Sequence, residues 1–131
     1  VGTGGTLSGV GRFLKEKKPN VRVIAVEPSG SPLLSKGRSG AHGLQGIGAN
    51  FVPKTLDTGI YDEVIAVSEE QAYEAARSLA REEGILCGIS SGAALAAAKS
   101  LAEREENRGR MIVVLLPDTG DRYLSTPMFD D

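Results

Sequence analysis

The sequence predicts a three-layer α/β/α fold with a mainly parallel sheet. Three observations carry that expectation. Helical and strand patterns alternate along the chain, the stretch Met111–Leu116 is apolar on both faces, and glycine-rich turns follow strand-like runs. In such sheets ligands gather beyond the carboxyl ends of the strands, where strand-to-helix loops meet. Val1–Gly11, Gly88–Gly92 and Pro117–Asp121 answer that description, and Gln45-Gly46-Ile47-Gly48 lies in an irregular segment able to cover them.

The opening loop sets the theme. Gly2, Gly4, Gly5 and Gly9, with Thr3, Thr6 and Ser8, stand ahead of and within a helical pattern. Leu7, Val10, Gly11 and Leu14 share one face, and Arg12, Lys15, Glu16 and Lys18 the other. A helix start leaves N–H groups unpaired and positively polarised, and glycines let an anion approach them closely. The threonine and serine hydroxyls are further candidate donors. No lysine or arginine falls inside the loop, so it suits a monophosphate rather than a triphosphate with its metal. The bland alternative is a flexible turn. Two other phosphate patterns are excluded: G-x-G-x-x-G fails at Leu7, and no Gly-Lys-Ser/Thr occurs in the chain.

Further along, Lys17-Lys18-Pro19-Asn20 closes the first helix and Val21–Val26 reads as a strand ended by Glu27-Pro28. From Ser29 to Gly59 periodicity fails, with Gly30, Gly37, Gly40, Gly43, Gly46 and Gly48 breaking the pattern. Asp62–Val67 is a second strand. Ser68 then caps a helix that carries Ala72, Ala75, Ala76, Leu79 and Ala80 on one face and stops at Gly84. Ile85-Leu86-Cys87 is a very short strand. A second alanine-rich helix follows, with Ala94, Leu95, Ala98, Leu101 and Ala102 on its apolar face. Met111–Leu116 is expected to be the most buried strand.

Composition narrows the function. With 15 Lys+Arg against 17 Asp+Glu, the net charge of -2 offers no attraction to nucleic acid or an anionic membrane. The longest aliphatic runs are too short to cross a bilayer, and one cysteine cannot form an internal disulfide, which points to a cytoplasmic setting. The chain begins with Val directly on a loop that should follow a strand, so it reads as part of something longer.

Gly88-Ile89-Ser90-Ser91-Gly92 matches the hydrolase elbow G-x-S-x-G, which needs a histidine after the serine; the single histidine, His42, lies before it. Ser90 and Ser91 are read instead as helix caps, with a ligand bond still open to them. His42 reads as a loop histidine, Cys87 as a small buried residue, and Asp118 and Asp121 as a helix-start cap and ion-pair partners.

Together, Val1–Gly11, Gln45-Gly46-Ile47-Gly48-Ala49, Gly88-Ile89-Ser90-Ser91-Gly92-Ala93-Ala94 and Pro117–Thr126 resemble, in order and spacing, the C-terminal part of the cysteine synthase (O-acetylserine sulfhydrylase) family. These are fold type II pyridoxal phosphate enzymes; cystathionine β-synthases share the first and third motifs. The resemblance implies that residues 1–131 are one domain, the phosphate-binding domain, of a two-domain enzyme. It implies that Gly2, Thr3, Gly4, Gly5 and Thr6 cradle the phosphate of pyridoxal 5′-phosphate, that Ser90 meets the pyridine nitrogen, and that Gly46 approaches the substrate side. It further implies O-acetylserine and sulfide as small-molecule substrates, a homodimer, and a cleft able to take the C-terminal peptide of serine acetyltransferase. The Schiff-base lysine of the family lies upstream of the phosphate loop and has no counterpart here. No catalytic residue is therefore assigned in this chain, which is expected to be inactive alone. A cystathionine β-synthase and a non-catalytic anion-binding module are the alternatives.

Overall fold

In the computed structural model, residues 1–130 are described; Asp131, the last residue of the expected domain, lies outside them. The described residues form two compact units, Val1–His42 with Ile47–Ala66, and Gly43–Gly46 with Val67 onward.

The first unit opens with helix α1 (Gly5–Lys17), followed by strand β1 (Ile24–Pro28), the short helix α2 (Leu33–Lys36) and strand β2 (Glu63–Val67), whose last residue belongs to the second unit. β1 and β2 pair as a two-stranded parallel sheet. The expected apolar face of α1 is buried only in part. Gly11 of that face is buried together with Ser8 and Leu7 is half-buried, whereas Val10 and Leu14 are exposed. The reason is local: a Cβ on Gly11 would lie 2.9 Å from Ile60, so the helix packs through its smallest residue. The first strand is also displaced from the expected Val21–Val26. The Val23 amide donates to the Asp62 carboxylate at 2.8 Å, and the Asp62 amide returns a bond to Val23 at 2.7 Å. A side chain thus takes the place of a ladder partner there. The same carboxylate receives Lys15 at 2.9 Å, so Lys15 is not the free solvated position its helix pattern indicates.

The irregular stretch from Ser29 to Gly59 is anchored rather than loose. Buried Glu27 accepts the Leu34 amide at 2.7 Å and the Ser35 amide at 3.0 Å, which satisfies the start of α2. His42 is a loop histidine, as expected, with Nε2 2.8 Å from the Gly48 carbonyl.

The second unit holds helices α3 (Glu69–Glu83) and α4 (Ile89–Ala102) and three short 3₁₀ turns at Glu105–Asn107, Asp121–Tyr123 and Pro127–Phe129. α3 is the element local sequence describes best. Ser68 and Gln71 form a reciprocal capping box, Gly84 ends the helix in the left-handed region, and Ala72, Ala75 and Ala76 are buried. α4 packs on α3 where Gly92 meets Ala72 and Ala76; a Cβ there would overlap the Ala72 carbonyl. Its buried residues are Ile89, Ser91, Gly92, Ala93, Ala97 and Leu101; of the expected face Ala94, Leu95, Ala98, Leu101 and Ala102, Leu101 alone is among them. Each buried methyl contributes about 0.8 kcal/mol, so alanines add up only because glycine lets the axes approach. Arg77 pins the chain end by donating to the carbonyls of Met128 and, at 2.9 Å, Pro127.

Two expected strands change character. Ile85–Cys87 is reduced to one antiparallel bridge between Cys87 and Thr119. Met111–Leu116 forms no ladder among the described residues, and Met111 and Val113 are 92% and 85% exposed. Burial on both faces needs strands alongside and helices above and below, and the described residues supply neither to this stretch. The expected three layers are therefore represented here by a two-stranded sheet and its helices. No described helix is long and apolar enough to cross a membrane.

Candidate cofactor-binding residues

The candidate residues fall into two groups, one in each unit. In the first, α1 begins at Gly5 on Gly4, whose φ of 86° lies in the left-handed region. A Cβ on Gly4 would stand 2.5 Å from the Leu56 Cβ, so only glycine fits. The helix has no side-chain cap and no acidic residue in its first turn. The Gly5 amide donates to Thr3 Oγ1 at 3.3 Å, while those of Thr6 and Leu7 have no partner among the described residues. Gly5, Thr3 and Thr6 are exposed. Unpaired amides at a positive helix end, with two threonine hydroxyls beside them, suit a phosphate dianion.

Ser8 does not join them. It is buried, and its Oγ accepts the Asp57 amide at 2.8 Å, which ties α1 to the chain behind it. Gly4 and Thr3 are braced likewise, by Leu56 and by the Thr55 hydroxyl donating to the Thr3 carbonyl. The rim is thus a backbone surface held from behind, and Gly2, half-buried, continues it.

In the second unit, Gly88 precedes α4 in extended conformation and provides no side-chain cap. Neither serine caps the helix, contrary to expectation, because both lie inside its first turn. Their hydroxyls differ. Ser91 is fully buried and donates to Asp118 Oδ1 at 3.0 Å, and the Tyr123 hydroxyl donates to Asp118 Oδ2 at 2.8 Å. Ser90 is half-buried, with no hydrogen bond among the described residues. Gly46, held at a φ of 94°, faces it: a Cβ on Gly46 would be 3.7 Å from Ser90 Oγ. Gly46 and Ser90 are therefore neighbours, with a free hydroxyl between a helix start and a glycine turn. A neutral hydroxyl is the right donor for an aromatic ring nitrogen that carries no proton.

Asp118 is the residue sequence reasoning misplaced. Among the described residues it is neither a helix cap nor an ion-pair partner; it accepts two hydroxyls. Its bond holds the Tyr123 phenol above the usual tyrosine range, so that group stays a donor. Burial raises the Cys87 thiol likewise, and Cys87 is the inert core residue expected. Among the described residues no cluster of potential metal ligands occurs.

A family model described as "Pyridoxal-phosphate dependent enzyme" matches residues 1–118. The chain belongs to that family. The cysteine synthase of Staphylococcus aureus strain Mu50 is 56% identical across 100% of this chain, which spans 43% of that protein. The cysteine synthase structure from Entamoeba histolytica superposes with a TM-score of 0.96 at 46% identity, over 98% of this chain and 38% of the other. A hydrogen sulfide-producing enzyme of Fusobacterium nucleatum gives a TM-score of 0.91 at 43% identity, over 95% of this chain and 42% of the other. The chain thus spans less than half the length of these relatives, and the fold class is theirs.

Proposed function

We propose that these residues are the cofactor-holding part of an enzyme that makes L-cysteine from O-acetyl-L-serine and sulfide by β-replacement. The observation that carries the reading is the unpartnered Ser90 hydroxyl facing Gly46. Pyridoxal 5′-phosphate, when bound, supplies an electron sink for bonds at the substrate α-carbon. Gly2, Thr3, Gly4, Gly5 and Thr6 hold its phosphate through backbone amides and hydroxyls. Ser90 would donate a hydrogen bond to the ring nitrogen. A hydroxyl cannot keep that nitrogen protonated as a carboxylate does, so the sink is weak, which suits elimination and replacement more than reactions needing a long-lived carbanion. Gly46, without a side chain, leaves room on the substrate side.

The similarity to cysteine synthases favours this reading over a cystathionine β-synthase or a non-catalytic anion module. It brings with it a homodimer, a cytoplasmic setting and a cleft for the serine acetyltransferase C-terminal peptide, each open to sedimentation, fractionation or peptide titration. Residues 1–131 form the phosphate-binding domain, and the proton-moving lysine comes from elsewhere in the polypeptide. The test is cysteine release from O-acetyl-L-serine and sulfide by the whole polypeptide carrying these residues. Cofactor-dependent cysteine formation supports the reading; binding of the cofactor without turnover of any acyl-serine would overturn it. The isolated 131 residues are expected to give no turnover.

A further inference from the structure

This inference rests on the role of Ser90 given above. Ser90 and Ser91 are chemically identical neighbours in one helical turn, yet only one is free. The difference is made by Asp118, 27 residues from Ser91. Its carboxylate takes the Ser91 hydroxyl on Oδ1 at 3.0 Å and the Tyr123 hydroxyl on Oδ2 at 2.8 Å. Its own carbonyl accepts the Gly88 amide at 3.3 Å, and one residue pair away the Gly120 amide donates to Leu86 at 3.2 Å. The carboxylate lies against Gly88 so closely that a Cβ there would force it to shift. The start of α4 is thereby fastened at Gly88 and Ser91.

We propose that Asp118 is a positioning residue for the cofactor: by holding Ser91 and Tyr123 it fixes the rotation of the first turn of α4 and aims the Ser90 hydroxyl at the pyridine nitrogen. A hydrogen bond weakens steeply as its angle falls, so a small rotation of that turn removes the bond without unfolding the helix. Because both partners of Asp118 are neutral hydroxyls, the clamp depends on acceptor geometry rather than on charge.

The test uses the protein loaded with pyridoxal 5′-phosphate labelled with a nitrogen isotope in the ring. Nitrogen NMR reads the Ser90 end and phosphorus NMR the phosphate end. Asp118→Ala is expected to move the ring-nitrogen signal toward its position in Ser90→Ala, to raise the cofactor Kd roughly three- to tenfold, and to leave the phosphorus signal in place. Asp118→Asn, which keeps the shape and one acceptor oxygen and can donate from its amide to the other hydroxyl, is expected to restore most of the wild-type signal. The double variant Ser90→Ala with Asp118→Ala should bind no more weakly than Ser90→Ala alone. If Asp118→Ala does not fold, Tyr123→Phe removes one arm of the clamp and is expected to give the same shift in smaller size. The proposal is overturned if Ser90→Ala moves the nitrogen signal while the Asp118 and Tyr123 variants leave it at the wild-type position. It is also overturned if they displace both signals together. If Ser90→Ala itself leaves the nitrogen signal unmoved, the role of Ser90 fails first and the clamp falls with it.

Discussion

Helices α1 and α4 both begin on glycine without a side-chain cap, yet their first turns are built for opposite chemistry. At α1 the glycine is left-handed, backed by Leu56, and the amides of Thr6 and Leu7 are left for a ligand. At α4 the glycine is extended and already faces a carboxylate, so a second anion is repelled and a neutral hydroxyl is what remains on offer. Two similar glycine-serine/threonine turns are distinguished by residues far along the chain. In the proposed reading, one serves a phosphate and the other a ring nitrogen.

That contrast is broken most directly at the two glycines. Gly4→Ala places a Cβ in the left-handed region and 2.5 Å from Leu56, and is expected to cost about 2–4 kcal/mol by urea unfolding. Adding Leu56→Ala should not rescue it, because the backbone strain persists. Gly88→Ala meets only a side chain in an ordinary backbone conformation, so a loss of about 1–2 kcal/mol is expected. There Asp118→Ser should restore much of the loss. Equal rescue at both positions would erase the distinction between them.

Ser90→Ala sharpens the comparison by separating binding from stability. No described residue loses a hydrogen bond, so the melting temperature without cofactor should be unchanged, while cofactor affinity falls roughly three- to tenfold.

A smaller effect is expected at Asp62, which braces α1 as Asp118 braces α4. The Val23 amide first and Lys15 second hold its carboxyl below the ordinary value of 3.8. A lowered carboxylate stabilises the fold fully above its unfolded value, and the contribution is lost as pH falls through the lower folded value. Asp62→Asn should cost about 0.5–1 kcal/mol at neutral pH and flatten stability between pH ~5 and ~2. An unchanged acid limb in that variant would show that the bracing is not electrostatic.

What sequence made legible follows the range of the interactions. The ends of α3 were readable because Ser68 and Gly84 act within one turn of the helix ends, and Ala72, Ala75 and Ala76 of its expected face are buried. The opening loop was readable because glycines ahead of a helix imply unpaired amides, whereas Gly46 and Ser90 were singled out by the family resemblance rather than by local pattern, and their proximity was not foreseen. The buried face of α4 was misread because an alanine-rich helix has little hydropathic contrast; Gly92 against the Ala72 carbonyl chose its orientation. The exposed Met111–Leu116 stretch shows the same limit for strands, since apolar residues state a demand for neighbours without supplying them. Ser8 and Ser91 were misassigned for one reason: a hydroxyl's partner, Asp57 in one case and Asp118 in the other, is set by tertiary structure.

The most direct measurement is a crystal structure of the protein with pyridoxal 5′-phosphate bound. The account predicts phosphate oxygens within hydrogen-bond distance of the Thr6 and Leu7 amides and the ring nitrogen within hydrogen-bond distance of Ser90 Oγ. A phosphate bound at the start of α4, or a ring nitrogen meeting any group other than Ser90, would contradict it.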